Sequence, residues 1–395
     1  MNLYFISHLK TRFILNKMSV REYLKRMKAI QKNILDFIEK DSFSEEDRQQ
    51  LFIFFENQKI ANNISEIEEI LLLISKISKY HHRTPDFFSK IKEILIFFKD
   101  SMKKNFTNYN LFNIFSDNKQ ILLFLFEEKL IIPDYSISCV ISNEKFKSKF
   151  YPNFFYPEIH DFLNEKLRLE VEKTNNEYNY DFDEFQKLRK IGQNDSYVCQ
   201  LIQKDLCNDF ISYVNKSDIS LLSTVVTPSI FETNEFLIKH HPTLIEYSAF
   251  FGSIQIFKYL YLNNVELNSS IWIYAIHGQN TDLIHFLEEK QIKPPNNSFM
   301  TCFIESIKCH QNKIANYFKK NFLNQNEFNE KLLYKTCIQS RNYKFSPDDL
   351  KINYDVFYYL CKNNYLTLVD LFLKAKKLDL NECYSKHISN HFFSL

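Results

Sequence analysis

The sequence feature that most constrains the fold is a helix–corner–helix pattern that recurs along the chain. Residues 247–264, YSAFFGSIQIFKYLYLNN, align with residues 273–294, IYAIHGQNTDLIHFLEEKQIKP. Each stretch has small residues in a first helix, a corner that contains glycine, and apolar pairs one turn apart in a second helix. Further copies follow the same order at 306–322 and 360–374, and weaker copies occur at 122–133 and 202–214. This recurrence predicts a series of stacked helical pairs.

The corner residues indicate where each pair reverses direction. Gly252 is one of only three glycines in 395 residues, and it stands between two helical segments. Glycine is favoured there because a left-handed backbone costs extra free energy for a residue with a Cβ atom. The equivalent corners use Gln279 after Gly278, then His310 and Asn364. Glycine is therefore preferred at these corners but not required.

Residues that can cap a helix stand nine positions before each corner. They are Thr243, Ser270, Thr301 and Asp355. Their side-chain oxygens can accept a hydrogen bond from the free N–H groups of a first helical turn. We therefore predict that all four are N-caps of first helices.

The N-terminal part of the chain also reads as helical. Apolar residues fall at helical spacing between Leu24 and Ile38, with basic residues between them. The segment 44–58 begins with Ser44 and has Asp47 three residues later, which is typical of a helix start. The sequence therefore predicts an all-helical N-terminal region.

From these residues the chain resembles ankyrin-repeat proteins. Within them it is similar to a family with an ankyrin domain of unknown function that is expanded in certain protozoan parasites. The resemblance rests on RKIGQNDSYVCQLIQKD at 189–205, on 227–267, and on the continuation through 325. The markers Ile256, Leu283 and Ile314 step by 27 and 31 residues, slightly below the ~33 of ankyrin repeats. The TPLH tetrapeptide is missing, and the copies near 334–346 and 365–385 are degenerate.

The predicted fold class is all-α, with a helical head followed by a degenerate ankyrin-repeat solenoid of helix–turn–helix units. We expect four regions along the chain. They are an all-helical N-terminal region (1–105), divergent repeat-like helices with an acidic loop at 176–185 (106–190), the ankyrin-repeat region (191–385) and a tail (386–395).

The sequence favours a non-enzymatic protein. Three isolated glycines exclude the glycine-rich phosphate loops, and the chain has no HExxH, GxSxG or HRD pattern. No catalytic residue, cofactor or metal is therefore predicted, and the resemblance implies none. Cys383, His387 and His391 have helical metal-ligand spacing, but a loosely docked tail is the preferred interpretation. For His277 and His285 we expect surface or capping roles, and for the cysteines the roles of reduced, mostly buried thiols.

The expected function is to bind a protein partner through the concave face of the solenoid. Phe250, Phe251, His277 and Lys308 follow the small residue of each first helix, where ankyrin arrays often face the groove. The competing interpretation is that Phe250 and Phe251 pack against the neighbouring repeat. Both interpretations stay open at this stage.

The alternative function is attachment to a membrane surface or nucleic acid through the basic segment from Lys10 to Lys32, with the repeats as a spacer. The formal charge of +2 gives no overall attraction to nucleic acid. The longest apolar run, at 121–126, is far shorter than the ~20 residues of a membrane helix. We therefore expect an intracellular protein, cytoplasmic or nuclear, with a protein partner that the sequence does not identify. A third possibility is a diverged copy whose function has decayed.

Overall fold

The computed structural model describes residues 18–40, 42, 44–81, 86–143, 146, 149–178, 180–324, 328–347 and 353–374, and the all-helical prediction is confirmed for them. The α-helices of this part of the chain, in order, are α1 (Val20–Ile38), α2 (Glu45–Asn57), α3 (Ile64–Tyr80), α4 (Phe87–Phe97), α5 (Lys99–Asn105), α6 (Asn108–Phe115), α7 (Lys119–Glu127), α8 (Tyr135–Ile141), α9 (Tyr151–Phe154), α10 (Tyr156–Ile159), α11 (Glu165–Tyr178), α12 (Phe182–Ile191), α13 (Tyr197–Gln203), α14 (Cys207–Val214), α15 (Glu235–His240), α16 (Leu244–Phe251), α17 (Ile254–Leu262), α18 (Ile271–His277), α19 (Thr281–Glu289), α20 (Phe299–Lys308), α21 (Asn312–Asn321), α22 (Glu330–Ser340), α23 (Tyr354–Lys362) and α24 (Leu366–Lys374).

The first two helices begin at capping residues, and the start of the second is the predicted one. Ser19 and Glu22 form a capping box at the start of α1, because each side chain bonds the backbone N–H of the other. The Ser44 hydroxyl accepts a hydrogen bond from the N–H of Asp47 at the start of α2. The apolar residues predicted at helical spacing in α1 are all buried: Leu24, Met27, Ile30, Ile34 and Ile38.

The described residues group into two compact units. One contains residues from 1–73 and 324–395, and the other contains residues 74–323. In the first unit the side-chain amide of Gln31 donates to Asn342 (3.0 Å), 311 positions away in sequence. Buried Arg341 donates to Glu69 and to the backbone oxygen of Asn363 (2.7 Å). These bonds join helices from the N-terminal and C-terminal parts of the described chain, whereas the predicted regions were sequential.

The second unit contains consecutive helical hairpins. Their first helices α13, α16, α18 and α20 pack side by side in that order. At the corners the left-handed residues are Asp205 (φ 50°), Gly252 (φ 70°), Gln279 (φ 52°) and His310 (φ 57°). In the other unit, the hairpin of α23 and α24 turns at Asn364 (φ 56°). The predicted corners are therefore confirmed, including those that use a residue with a Cβ atom.

The predicted caps are only partly correct. Thr243 caps α16 and forms a capping box with Glu246. Ser270 stands at the N-cap position of α18, but its hydroxyl donates to the Glu246 carboxylate (2.6 Å) instead. The predicted caps at Thr301 and Asp355 are wrong, because both residues lie inside their helices. The first helices differ in length, so α20 begins after Ser298 and α23 begins after Asn353.

The acidic loop is shorter than the prediction of 176–185. Helix α11 continues to Tyr178, and α12 starts at Phe182 after the cap Asp181. Asp181 accepts a hydrogen bond from the N–H of Glu184. Acidic residues placed at the first turn of a helix stabilise it through the free N–H groups and the helix dipole. The charges at 181–184 therefore start a helix and do not mark a long loop.

A long connection between α14 and α15 is held in place by a buried lysine. Lys119 lies in the first turn of α7 and is 1% exposed. Its ammonium donates to the backbone oxygens of Ile230 and Glu232, each at 3.0 Å. Burial lowers the pKa of Lys119 to about 7. The connection is therefore fixed to the helices that precede the hairpins.

Candidate functional site: the His277 cluster

The structure brings the four predicted binding residues into one region. Phe250 and Phe251 end α16, His277 ends α18 and Lys308 ends α20. Because these first helices pack side by side, their last turns lie next to one another. The ring centroids of Phe250 and Phe251 are 5.2 Å apart, and those of Phe250 and His277 are 5.7 Å apart.

These four residues differ in accessibility. Phe250 is 6% exposed and His277 only 1%, whereas Phe251 is half-buried and the Lys308 side chain is 35% exposed. Phe236 of α15 covers this region, with its ring stacked 4.0 Å from that of His277. The expected surface or capping role of His277 is therefore wrong, because another part of the chain packs on it. Phe250 packs as the competing interpretation describes, and protein binding by the four residues stays a prediction.

His277 forms a polar cluster with three residues of the next hairpin. Its Nε2 lies 2.9 Å from Oε1 of Glu305, which also accepts a hydrogen bond from Lys308 (2.9 Å). The Cys309 sulfur lies 3.4 Å from the same Nε2 and 3.9 Å from Glu305 Oε1. We call His277, Glu305, Lys308 and Cys309 the His277 cluster. It couples the ends of two consecutive first helices.

The charges of the cluster follow from burial and from these contacts. Burial alone would raise the pKa of Glu305, but the hydrogen bond from His277 and the nearby ammonium of Lys308 lower it. Burial lowers the pKa of His277, although Glu305 partly opposes this effect. We therefore assign a neutral imidazole at pH 7 that donates from Nε2, with Lys308 balancing the carboxylate. Burial also raises the pKa of the Cys309 thiol well above its usual value.

This arrangement does not fit a cysteine nucleophile. In such a site the imidazole takes the thiol proton on one nitrogen while a carboxylate holds the other nitrogen. Here Glu305 and Cys309 both lie nearest to Nε2 of His277. The thiol is also fully buried and disfavours ionisation. The geometry instead brings three metal-ligating atom types, nitrogen, oxygen and sulfur, close together.

Sequence reasoning did not identify Glu305 and Cys309 as members of this cluster. It interpreted Cys309 as a packing thiol and assigned no role to Glu305. The available signal was the repeat itself, since both residues lie about one repeat after His277. Equivalent turns of consecutive hairpins are neighbours in a stacked array. His285 is exposed, as expected.

A second surface lies on the second helices and was not predicted. Tyr261, Phe286 and Tyr317 stand on α17, α19 and α21, and each is half-buried. The rings of Tyr261 and Phe286 are 5.2 Å apart, with the Lys290 ammonium 5.7 and 5.6 Å from their centroids. The Tyr317 hydroxyl donates to Glu288 of the preceding hairpin (2.8 Å). We call Tyr261, Phe286 and Tyr317 the aromatic row.

Two other expectations concern residues outside those described. Lys10 and Arg12 of the basic segment are among them, as are Cys383, His387 and His391. Arg26, in the described part of the basic segment, is engaged with Glu66 and Gln58. Among the described helices, none has the length and apolar character needed to cross a bilayer.

Comparison with protein-family models, curated proteins and solved structures found no match in any of the three. The resemblance to ankyrin-repeat proteins is therefore still a prediction from the sequence.

Proposed function

We propose that the protein is a non-enzymatic module of ankyrin-like helical hairpins that binds a protein partner. The observation that carries this proposal is the aromatic row, which places a half-buried aromatic side chain on each of three consecutive second helices. The non-enzymatic part rests on the missing catalytic motifs and on the unsuitable geometry of Cys309.

The chemistry of the aromatic row suits a protein interface. Aromatic side chains contribute large apolar area at a low entropic cost, and they dominate the binding energy of many interfaces. The rings of Tyr261 and Phe286 contact each other and the Lys290 ammonium, and Tyr317 is held by its hydrogen bond to Glu288. Side chains that are already ordered lose less freedom on binding. Exposed His285, Glu289 and Lys290 supply a polar rim.

The concave face remains a second location for the same function. Phe236 and α15 already cover Phe250 and His277, so a partner has less access to the last turns of the first helices. Phe251 and Lys308 retain partial exposure there. A partner on this face would therefore contact mainly those two residues.

Affinity capture with matched variants tests the proposal. We would compare wild type with a Tyr261→Ala/Tyr317→Ala variant and with a control Tyr109→Ala/Tyr135→Ala variant, whose tyrosines are exposed on α6 and α8. Recovery of the partner should fall at least tenfold, about 1.4 kcal/mol, only for the aromatic-row variant. Circular dichroism and thermal melting must show that both variants remain folded.

Other outcomes would contradict the proposal or its location. Equal recovery by both variants would show that the aromatic row is not the binding surface. Loss of the partner with Phe251→Ala/Lys308→Ala alone would favour the concave face. Recovery that falls steeply between ~50 and ~200 mM salt for every variant would favour attachment through the basic segment.

A further inference from the structure

Three potential metal ligands meet at one point in the His277 cluster. The distances are 2.9 Å between His277 Nε2 and Glu305 Oε1, 3.4 Å between Nε2 and the Cys309 sulfur, and 3.9 Å between the sulfur and Oε1. We propose that His277, Glu305 and Cys309 form a zinc-binding site, with water as the fourth ligand. This site is separate from the aromatic row, so a test of zinc binding does not depend on the proposed function.

The spacing of these atoms is close to that of a zinc tetrahedron. Zinc bonds of about 2.0–2.1 Å to nitrogen, 2.0–2.2 Å to oxygen and 2.3 Å to sulfur give ligand separations of about 3.4 Å for N···O and about 3.6 Å for S···N and S···O. The observed separations differ from these by roughly half an ångström or less. The sulfur also lies 3.7 Å from Nδ1, so the Cys309 side chain must rotate toward the Nε2 lone pair, and Glu305 must withdraw to admit the ion, before the three protein ligands are complete.

The site is held rigidly on its histidine side. The His277 ring is stacked against Phe236 at 4.0 Å and against Phe250 at 5.7 Å, so its plane is fixed before a metal binds. Glu305 and Cys309 stand four residues apart, at the last turn of α20 and its C-cap. Ligands fixed in this way lose little freedom on coordination. Glu305 is 15% exposed, which gives water and a metal ion a route from solvent.

The Lys308 ammonium would compete with a zinc ion for the Glu305 carboxylate. Its ammonium bonds Glu305 Oε1 at 2.9 Å and lies 4.9 Å from the centroid of the Tyr80 ring. A bound zinc ion would compete with this ammonium for the same carboxylate. Because the lysine side chain is 35% exposed, its ammonium can move into solvent when zinc binds.

Metal binding has a defined proton balance. The Cys309 thiol loses one proton to solvent as its sulfur bonds zinc. The neutral His277 ring keeps one proton, which moves from Nε2 to Nδ1 so that Nε2 can coordinate. The Glu305 carboxylate gives up its hydrogen bond from the Lys308 ammonium and coordinates the metal instead. One proton is therefore released for each zinc ion bound.

Cobalt substitution tests this site in the full-length protein. Adding Co²⁺ to reduced, metal-free protein should give one equivalent of tetrahedral cobalt, with intense visible ligand-field bands and a sulfur-to-cobalt charge-transfer band. Zn²⁺ should displace it. Cys309→Ser should abolish the charge-transfer band, whereas Cys302→Ser, which removes another buried thiol of α20, should retain it.

Lys308→Gln gives a test that does not depend on losing a buried ligand. Removal of the competing ammonium should tighten Zn²⁺ binding about tenfold or more, since a positive charge near the carboxylate opposes metal binding. Lys319→Gln on α21 is the matched control and should leave the affinity unchanged. The proposal fails if cobalt gives no sulfur band in the wild type, if the band persists in Cys309→Ser, or if Lys308→Gln weakens zinc binding.

Discussion

Two glycines at neighbouring corners are expected to respond differently to the same substitution. Gly252 has a left-handed backbone with φ 70°, whereas Gly278 is helical with φ −72°. A Cβ atom at Gly252 would lie 3.3 Å from the side-chain nitrogen of Asn280. At Gly278 a Cβ atom would overlap the backbone oxygen of Ala249 and lie 3.0 Å from that of Phe250. Gly252 is thus favoured for its conformation, whereas Gly278 is needed for the close approach of α18 to α16.

The magnitudes follow from these two causes. Alanine in a left-handed conformation costs about 1–2 kcal/mol, and the reduced entropy of the unfolded chain offsets about 0.4–1 kcal/mol of it. The net cost of Gly252→Ala is therefore about 0.5–1 kcal/mol. Gly278→Ala must separate two helices whose backbone atoms cannot rotate away, and overpacking of this kind costs about 1–3 kcal/mol or more. We expect a net loss of about 2–3 kcal/mol for Gly278→Ala.

Thermal and denaturant unfolding of the two variants measures this difference. At about 2–4 °C per kcal/mol for a unit of this size, Gly278→Ala should lower the melting temperature by about 5–10 °C. Gly252→Ala should lower it by about 1–3 °C. Equal shifts, or a larger shift for Gly252→Ala, would show that α16 and α18 do not approach as closely as the structure places them. The stacking of the hairpins would then be incorrect.

Two further predictions concern local interactions. Thr243→Ala should cost about 1 kcal/mol of unfolding free energy, because Thr243 forms a capping box. Ser270→Ala should lose only its hydrogen bond to Glu246. Equal fraying of α16 and α18 in hydrogen exchange would contradict this distinction. Lys119 has a pKa lowered by burial to about 7, against 10.5 in the unfolded chain, so unfolding takes up a proton above pH 7. Wild type should therefore gain about 1.4 kcal/mol per pH unit between about pH 7 and pH 10.5 relative to Lys119→Met, and parallel pH profiles in urea unfolding would refute the lowered pKa.

Local features of the hairpins could be predicted well from the sequence. The left-handed corners at Gln279, His310 and Asn364 follow from alignment with Gly252, because the turn between two antiparallel helices is a short-range feature. The Thr243 cap also followed from its local pattern. The caps at Thr301 and Asp355 failed because a fixed offset from the corner assumes first helices of equal length.

Longer-range features could not be predicted from the pattern. The repeat predicts that the last turns of consecutive first helices are neighbours, but not that Phe236 of a short separate helix packs on His277. Glu305 joins the His277 cluster through a contact between repeats, and neither residue has a catalytic motif around it. The Glu69–Arg341 pair joins residues 272 positions apart. Such contacts depend on how helices pack, which a period along the chain does not determine.

Site-specific photocrosslinking tests the proposed binding surface most directly. A photoreactive amino acid would replace His285, which is exposed on α19 beside the aromatic row, and a second protein would carry it at Tyr109 on α6. We predict that position 285 gives a discrete crosslink to a protein partner, that Tyr261→Ala/Tyr317→Ala abolishes it, and that position 109 gives none. A third protein would carry the photoreactive amino acid at Phe251. A crosslink there with none at position 285 would place the partner on the concave face and contradict the assignment to the aromatic row.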